Sequence, residues 1–195
     1  MGVRIGVLSL QGDVSEHISA FRRTLASMGD GTGRVVAVRH AEEIPPLDAL
    51  AIPGGESTTI SRLIDKNAMR SPIENFDGGI FATCAGMVLL ARTVDDVRVR
   101  PLGLMDMEVA RNAFGRQRES FEAIIPVKGL KDPYHAVFIR APVATATGGA
   151  AEPLAAFDAG IVAIREGRHM ALSFHPELTP DIRLHRMFLE NLGEL

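Results

Sequence analysis

Short apolar runs alternate with amphipathic stretches through the first half of the chain, and this alternation restricts the fold more than any other feature. Val3–Ser9 is a near-continuous run of Val, Ile and Leu, the pattern of a strand covered on both faces. Gln11-Gly12 breaks it, and Asp13 then stands where a helix cap belongs, with Glu16 three residues on to reach back to the free amides. Ile18, Phe21, Arg22 and Leu25 give that helix one inward stripe, and Gly29–Gly33 ends it. Arg34–Val38 and Ala49–Ile52 read as strands. Ser57 caps a helix running to about Lys66, and Ser71-Pro72-Ile73-Glu74 opens another with Pro at its first position. Gly79–Ala82 is a fourth buried strand and Ala85–Ala91 the helix after it. Parallel strands need a crossover to return the chain, so strands that alternate with helices predict a parallel sheet.

Beyond Val94 the pattern changes. Leu104–Ala110, Ser120–Ile125 and Ala136–Ile139 read as strands separated by turns. Ile161–Arg165 and His169–Phe174 read as a hairpin across Glu166-Gly167. Thr179 caps a final helix with Pro180 at its start, and Leu184, Phe188 and Leu192 line its inner face. Ala141–Ala156, rich in Ala, Gly, Thr and Pro, reads as a surface loop. The expected fold class is α/β, a mostly parallel doubly wound sheet in three layers with an antiparallel extension, built as a single domain over residues 1–195.

The composition narrows the function classes. The single cysteine excludes internal disulfides and thiolate-rich zinc sites, which fits a reducing, cytoplasmic location. Twenty-one Lys and Arg against 24 Asp and Glu leave a net charge of −3, so there is no basic field to gather nucleic acid. No stretch approaches the ~20 apolar residues of a membrane-spanning helix, and the N-terminal run lacks the basic lead-in of a signal peptide.

Three segments carry residues with chemical potential. Cys84 falls in Phe81-Ala82-Thr83-Cys84-Ala85-Gly86, where a buried strand turns into a helix. A sharp turn there lifts the side chain above the sheet and sets it over the helix N-terminus, which lowers a thiol pKa from about 8.5. The same residue reads equally as a small buried hydrophobe. His175-Pro176-Glu177 places an imidazole and a carboxylate two apart, on one side of an extended chain. A Cys–His–carboxylate set uses that arrangement: the His takes the thiol proton and the carboxylate fixes its orientation. Cys84 and His175 lie 91 positions apart, and spacing alone does not join them. Pro53-Gly54-Gly55-Glu56-Ser57 follows a strand end, where a free Gly55 amide, with that of Ala85, could hold an oxyanion. A plain strand–helix turn with a Ser cap is the other reading. His17, His40, His135, His169 and His185 have no ligand spacing and read as surface or structural. Met87, Met105 and Met107 read as core filling.

Together these segments resemble the class I, or triad, glutamine amidotransferases, whose fold is a flavodoxin-like three-layer sandwich. The closer resemblance is to the glutaminase-subunit family of the pyridoxal 5′-phosphate synthases. It rests on Leu10-Gln11-Gly12, the Pro53–Thr59 loop, Arg111–Gln117, Phe138–Pro142 and Ser173–Thr179, and so covers nearly the whole chain. The Arg-Asn-x-Phe-Gly-Arg-Gln segment is the most specific of these. Ala82 stands where family members often have Gly, and Ser27–Gly33 is longer and richer in Gly than usual.

The resemblance implies hydrolysis of L-glutamine to glutamate and ammonia, with Cys84, His175 and Glu177 catalytic and with no cofactor or metal. It implies substrate contacts at Gly55, Glu56, Ser57, Arg111, Ile139 and Arg140, an oxyanion hole at Gly55 and Ala85, and a place for Gln11 near the active site and a partner interface. The implied partner is the (β/α)₈-barrel synthase subunit, in an assembly of twelve glutaminase subunits around a twelve-subunit synthase core. Neither nucleic acid nor membrane is implied. A cysteine peptidase on a similar fold and a non-catalytic, thiol-based sensor are the alternatives from other classes. Arg111 and Arg140 suit a small zwitterion better than a peptide.

Overall fold

The computed structural model describes residues 2–111, 113–115, 119–158 and 160–193. In chain order the first half runs β1 (Arg4–Leu8), α1 (Val14–Met28), β2 (Arg34–Val38), β3 (Ala49–Ile52), α2 (Ser57–Lys66), α3 (Arg70–Glu74), β4 (Gly79–Thr83) and α4 (Ala85–Leu90). The second half runs β5 (Ala91–Val94), β6 (Met105–Ala110), β7 (Ser120–Ile125), β8 (Tyr134–Ile139), β9 (Val143–Thr147), β10 (Glu152–Phe157), β11 (Gly160–Glu166), β12 (His169–Leu172) and α5 (Arg183–Asn191).

A ten-stranded sheet forms the middle layer, in the order β2-β1-β3-β4-β12-β11-β9-β6-β5 with β10 paired to β11. From β2 to β12 every pairing is parallel, and from β12 to β6 every pairing is antiparallel. β7 and β8 form a separate antiparallel ribbon. The central strands β3 and β4 are buried along their whole length, as their unbroken apolar runs require. Successive side chains on a strand point to opposite faces. Ala49, Ala51 and Phe81 accordingly join one core with Phe21 of α1 and Phe188 of α5. Leu50, Ile52, Ile80 and Ala82 join a second with Ile60 of α2 and Leu89 of α4. Helices thus cover both faces, which gives the three layers. Ala82 is fully buried opposite Ile52 and Ala171, so its methyl group fits the strand without breaking it. Met87, Met105 and Met107 are buried in the second core.

Several elements differ from the sequence expectation. α3 begins at Arg70, so Pro72 is its third residue and not its first, and Ala91–Val94 is a strand, β5, that the sequence does not signal. Ala141–Ala156 is not a surface loop: it contains β9 and the start of β10, with Val143, Ala144, Leu154 and Ala155 buried. The composition hid these strands, because Ala, Gly and Pro carry little β signal and outweigh the Val and Thr among them. Glu56, not Ser57, caps α2, its carboxylate accepting from Thr59 N at 2.8 Å. Asp13 holds the cap position of α1 but makes no capping bond. The last helix begins at Arg183, and Thr179 instead closes the turn after His175, its hydroxyl donating to Pro176 O at 3.2 Å. No helix among the described residues is long and apolar enough to cross a membrane.

Parallel pairing decides where the chemistry collects. β1, β3, β4 and β12 run the same way, so the segments leaving their C-terminal ends emerge along one edge. Those segments carry Gln11, Gly54-Gly55, Cys84 and His175. The 91 positions between Cys84 and His175 close because Thr83 pairs with Leu172 in adjacent parallel strands.

Candidate active site

Cys84 has φ 48° and ψ −105°, a left-handed conformation costing about 1–3 kcal/mol in a non-Gly residue. β12 and α4 hold it there: Cys84 N–H donates to Leu172 O at 2.8 Å, and Val88 N–H donates to Cys84 O at 3.3 Å. The thiol lies 3.7 Å from Ile139 O, so the end of β8 faces it. Ala85 N–H is a first-turn amide with no intrahelical acceptor.

His175 reaches the thiol from β12. Its Nδ1 lies 2.7 Å from Glu177 Oε1 and 3.5 Å from Asp13 Oδ2. Its Nε2 has no hydrogen-bond partner among the described residues. Burial works against a charged imidazole, but the Asp13, Cys84 and Glu177 side chains around it outweigh that and raise the His175 pKa well above its ordinary value. The same contact with His175 lowers the Asp13 carboxyl. Asp13, His175 and Glu177 each bring a ligand atom within 4.8 Å of the others, close enough to share a cation. The 2.7 Å hydrogen bond already commits two of those atoms.

Glycine at position 54 is required by space. A Cβ there would stand 2.5 Å from His175 Cε1 and 3.3 Å from Cys84 Cβ. Gly55 has φ 148°, which only Gly adopts easily, and a Cβ on it would meet Gln11 Oε1 at 2.8 Å. That same oxygen accepts from Glu56 N at 2.9 Å, so the Gln11 side chain braces the loop from outside.

The second charged group is Glu56–Arg111–Asp96. Arg111 Nη2 donates to Glu56 Oε1 at 2.9 Å and Nη1 donates to Asp96. Burial favours the neutral Glu56 carboxyl, but donors from Thr58 and Thr59 override it and lower its pKa to about 2. Glu56 is therefore charged at neutral pH. Arg140 is exposed at the end of β8, with φ 43°.

One cavity of about 320 Å³ takes in these groups, at the small end of ligand sites. Gln11, Gly55, Glu56 and Ser57 line it from the first two strand ends, and Cys84 and Ala85 from the elbow. Arg111, Ile139, Arg140 and His175 complete it, with Glu177 buried behind His175. Every candidate residue therefore belongs to one site. Of the Arg111–Gln117 segment, Asn112, Arg116 and Gln117 lie outside the described residues.

Asp13, His17, Thr83 and Asp96 escaped the sequence reading. His17 is fully buried beneath the site, where its Nε2 lies 3.0 Å from Thr83 Oγ1 and 3.5 Å from Glu177 Oε2. Its place four residues before Phe21, on the inward stripe of α1, was the available signal.

A thiol at a strained strand–helix elbow, a buried imidazole with a carboxylate behind it, and an acid–base pair line one small cavity, the groups that a cysteine-dependent hydrolase or transferase acting on a small zwitterion would use. Comparison with known proteins agrees with this class. Residues 7–194 match the SNO glutamine amidotransferase family, and the chain belongs to that family. A pyridoxal 5′-phosphate synthase subunit PdxT from Methanosphaerula palustris is 66% identical over 193 residues, covering 99% of both chains. The protein of that name from Methanoculleus marisnigri is 62% identical, covering 98% of this chain and 99% of its own. A crystal structure described as a glutamine amidotransferase superposes with a TM-score of 0.84 at 43% identity, covering 97% of this chain and 98% of the other. A glutamine amidotransferase from Thermotoga maritima shares the fold at 12% identity, with a TM-score of 0.63 and coverage of 100% and 97%.

Proposed function

We propose that this chain is the glutaminase subunit of a pyridoxal 5′-phosphate synthase and works as one domain in the cytoplasm. It hydrolyses L-glutamine to L-glutamate and passes the ammonia to a (β/α)₈-barrel synthase subunit, in an assembly of twelve copies of each. Family membership and the names of its relatives support the glutaminase and the partner.

One observation carries the mechanism: His175, which Cys84 neighbours, has its Nδ1 held by Glu177 while its buried Nε2 has no hydrogen-bond partner among the described residues. The proton that Cys84 gives up is carried by His175, whose imidazolium Asp13 and Glu177 stabilise. The Cys84 sulfur attacks the side-chain amide carbon of glutamine. The Gly55 and Ala85 amides hold the developing oxyanion, a role commonly worth about 3–4 kcal/mol per donor. His175 returns the proton to the leaving nitrogen, so ammonia departs and a thioester remains. Water, deprotonated by His175, then releases glutamate and restores the thiol. Glu56 and Arg111 together present a carboxylate and a guanidinium, the complement of an α-ammonium and an α-carboxylate. Gly55, Ser57, Ile139 and Arg140 shape the remaining wall, and Gln11 braces the loop near the partner interface.

The test is ammonia release from L-glutamine by the purified chain, with and without the synthase subunit, for wild type and Cys84→Ala. Turnover by wild type and none by Cys84→Ala is expected, with the melting profile unchanged. Retained turnover in Cys84→Ala would refute the role given to the thiol.

A further inference from the structure

His17 has no part in the chemistry above, yet it sits where three parts of the site meet. Its ring is fully buried on the first turn of α1, against the Phe81 ring at a centroid distance of 6.2 Å. Nε2 is 3.0 Å from the Thr83 hydroxyl and 3.5 Å from Glu177 Oε2. The other Glu177 oxygen holds His175. Thr83 immediately precedes Cys84, and its hydroxyl oxygen accepts the Gly54 N–H at 3.1 Å. One imidazole therefore borders the carboxylate behind His175, the residue before the nucleophile, and the loop that presents Gly55.

The proton can be assigned. Thr83 Oγ1 already accepts from Gly54, and Glu177 Oε2 has no hydrogen-bond partner among the described residues. A carboxylate oxygen only accepts. A proton on His17 Nε2 therefore serves both, as a hydrogen bond to Thr83 that leans towards Glu177. Nδ1 is buried without a partner, so a second proton there would be unsatisfied, and burial lowers the His17 pKa, which keeps the ring neutral. The groups that face it are Asp13 and Glu16 of its own helix, Thr83 of β4, His175 and Glu177 after β12, and His185 of α5.

We infer that His17 is a positioning residue of this site: as a neutral Nε2–H donor it steers the second oxygen of Glu177 and, through the Thr83 hydroxyl, sets the Gly54 amide at the head of the oxyanion loop. This rests on the glutaminase reading for its effect on turnover. Its effect on the thiol does not need that reading.

The test therefore uses two readouts. Iodoacetamide alkylation of Cys84, the only cysteine, is followed against pH by mass spectrometry. Glutamine turnover is measured with the synthase subunit present. His17→Leu removes the donor at similar bulk, His17→Gln offers an amide nitrogen in place of Nε2, and Thr83→Val cuts the relay while keeping the side chain's shape. A carboxylate that loses a donor takes a proton more readily. In His17→Leu the acid limb of the alkylation profile should move to higher pH by about half a unit or more, and kcat should fall about ten- to a hundredfold with KM within about twofold. His17→Gln should recover most of both losses, and Thr83→Val should lower kcat with the same sign. If wild type alkylates normally but does not hydrolyse glutamine, the glutaminase reading fails and the alkylation profiles still decide the role of His17. An unchanged profile and kcat in a folded His17→Leu protein would overturn the inference. If His17→Leu does not fold, normal behaviour of Thr83→Val together with failure of His17→Gln to support either readout would overturn it equally.

Discussion

The two charged groups of the cavity are built by different means. Around His175 the hydrogen-bonded partner is buried: Glu177, like His17 behind it, has no solvent-exposed side-chain surface, and a 2.7 Å hydrogen bond joins it to His175, while Asp13, 3.5 Å away, is open. Around Arg111 the pairs are more open: the Glu56 side chain is 36% exposed and that of Asp96 15%. A buried pair is scarcely screened by salt and costs much when one partner is removed. An open ion pair is screened and individually weak. The first group suits a task that must hold one geometry during bond making. The second suits a substrate head group that must enter and leave.

The largest expected effect follows from the first group. Glu177→Gln keeps the shape but removes the charge and the sole function of orienting His175 Nδ1. It should lower kcat by about 10²–10⁴-fold, and the loss should be the same at low and high salt. Asp13, at 3.5 Å from Nδ1, is the only other carboxylate there among the described residues and is too far for a full hydrogen bond. Turnover within about threefold of wild type in Glu177→Gln would mean that Asp13 substitutes for it, and the contrast between buried and open groups would collapse.

A smaller effect, of a different kind, belongs to the second group. Arg111→Ala leaves Glu56 and Asp96 without their shared cation. KM for glutamine should rise about tenfold with kcat changed by less than about threefold, because head-group contacts are made equally in ground and transition states. Wild-type KM should itself climb between 0.05 and 0.5 M NaCl, while kcat stays flat. The comparison breaks if Arg111→Ala lowers kcat and leaves KM alone. Glu56 adds a pH limit: its lowered pKa contributes stability that is present above about pH 4.5 and is lost as pH falls towards 2.

The parallel half of the fold was legible because its strands are continuous apolar runs and its breaks are Gly or capping residues. The antiparallel half was less so. β9 is Val-Ala-Thr-Ala-Thr, with only Val143 and Ala144 buried, and its place as a strand is fixed by pairing with β6 and β11. Cys84, His175 and Glu177 could be named, but their meeting depends on Thr83 pairing with Leu172, a long-range fact that no local pattern carries. Asp13 illustrates the limit most clearly. An Asp before a helix reads as a cap, and only the fold shows its carboxylate turned to His175 instead. His17 reads as surface or structural because it lacks ligand spacing, and that spacing says nothing of its contacts with Thr83 and Glu177.

The smallest effect tests how far the buried region extends. His185 of α5 lies between Phe21 and Phe81, each at 4.9 Å between ring centroids, and both its ring nitrogens lack hydrogen-bond partners among the described residues. Burial holds its pKa well below the ordinary value. The unfolded chain therefore takes up a proton below about pH 6.5 that the folded protein refuses, and stability falls as pH falls through that range. His185→Phe removes both the unsatisfied nitrogens and this proton uptake. It should stabilise the protein by about 1 kcal/mol at pH 7 in urea unfolding, and the advantage should widen by up to about 2 kcal/mol at pH 5. His17 contributes the same kind of acid loss to both proteins, so it cancels in the difference. Because His185 makes no hydrogen bond to the catalytic groups, glutamine turnover should be unchanged. Equal stability differences at pH 7 and pH 5 would show that His185 is protonated in the folded state, and a fall in turnover would place it inside the region that positions Glu177 rather than beneath it.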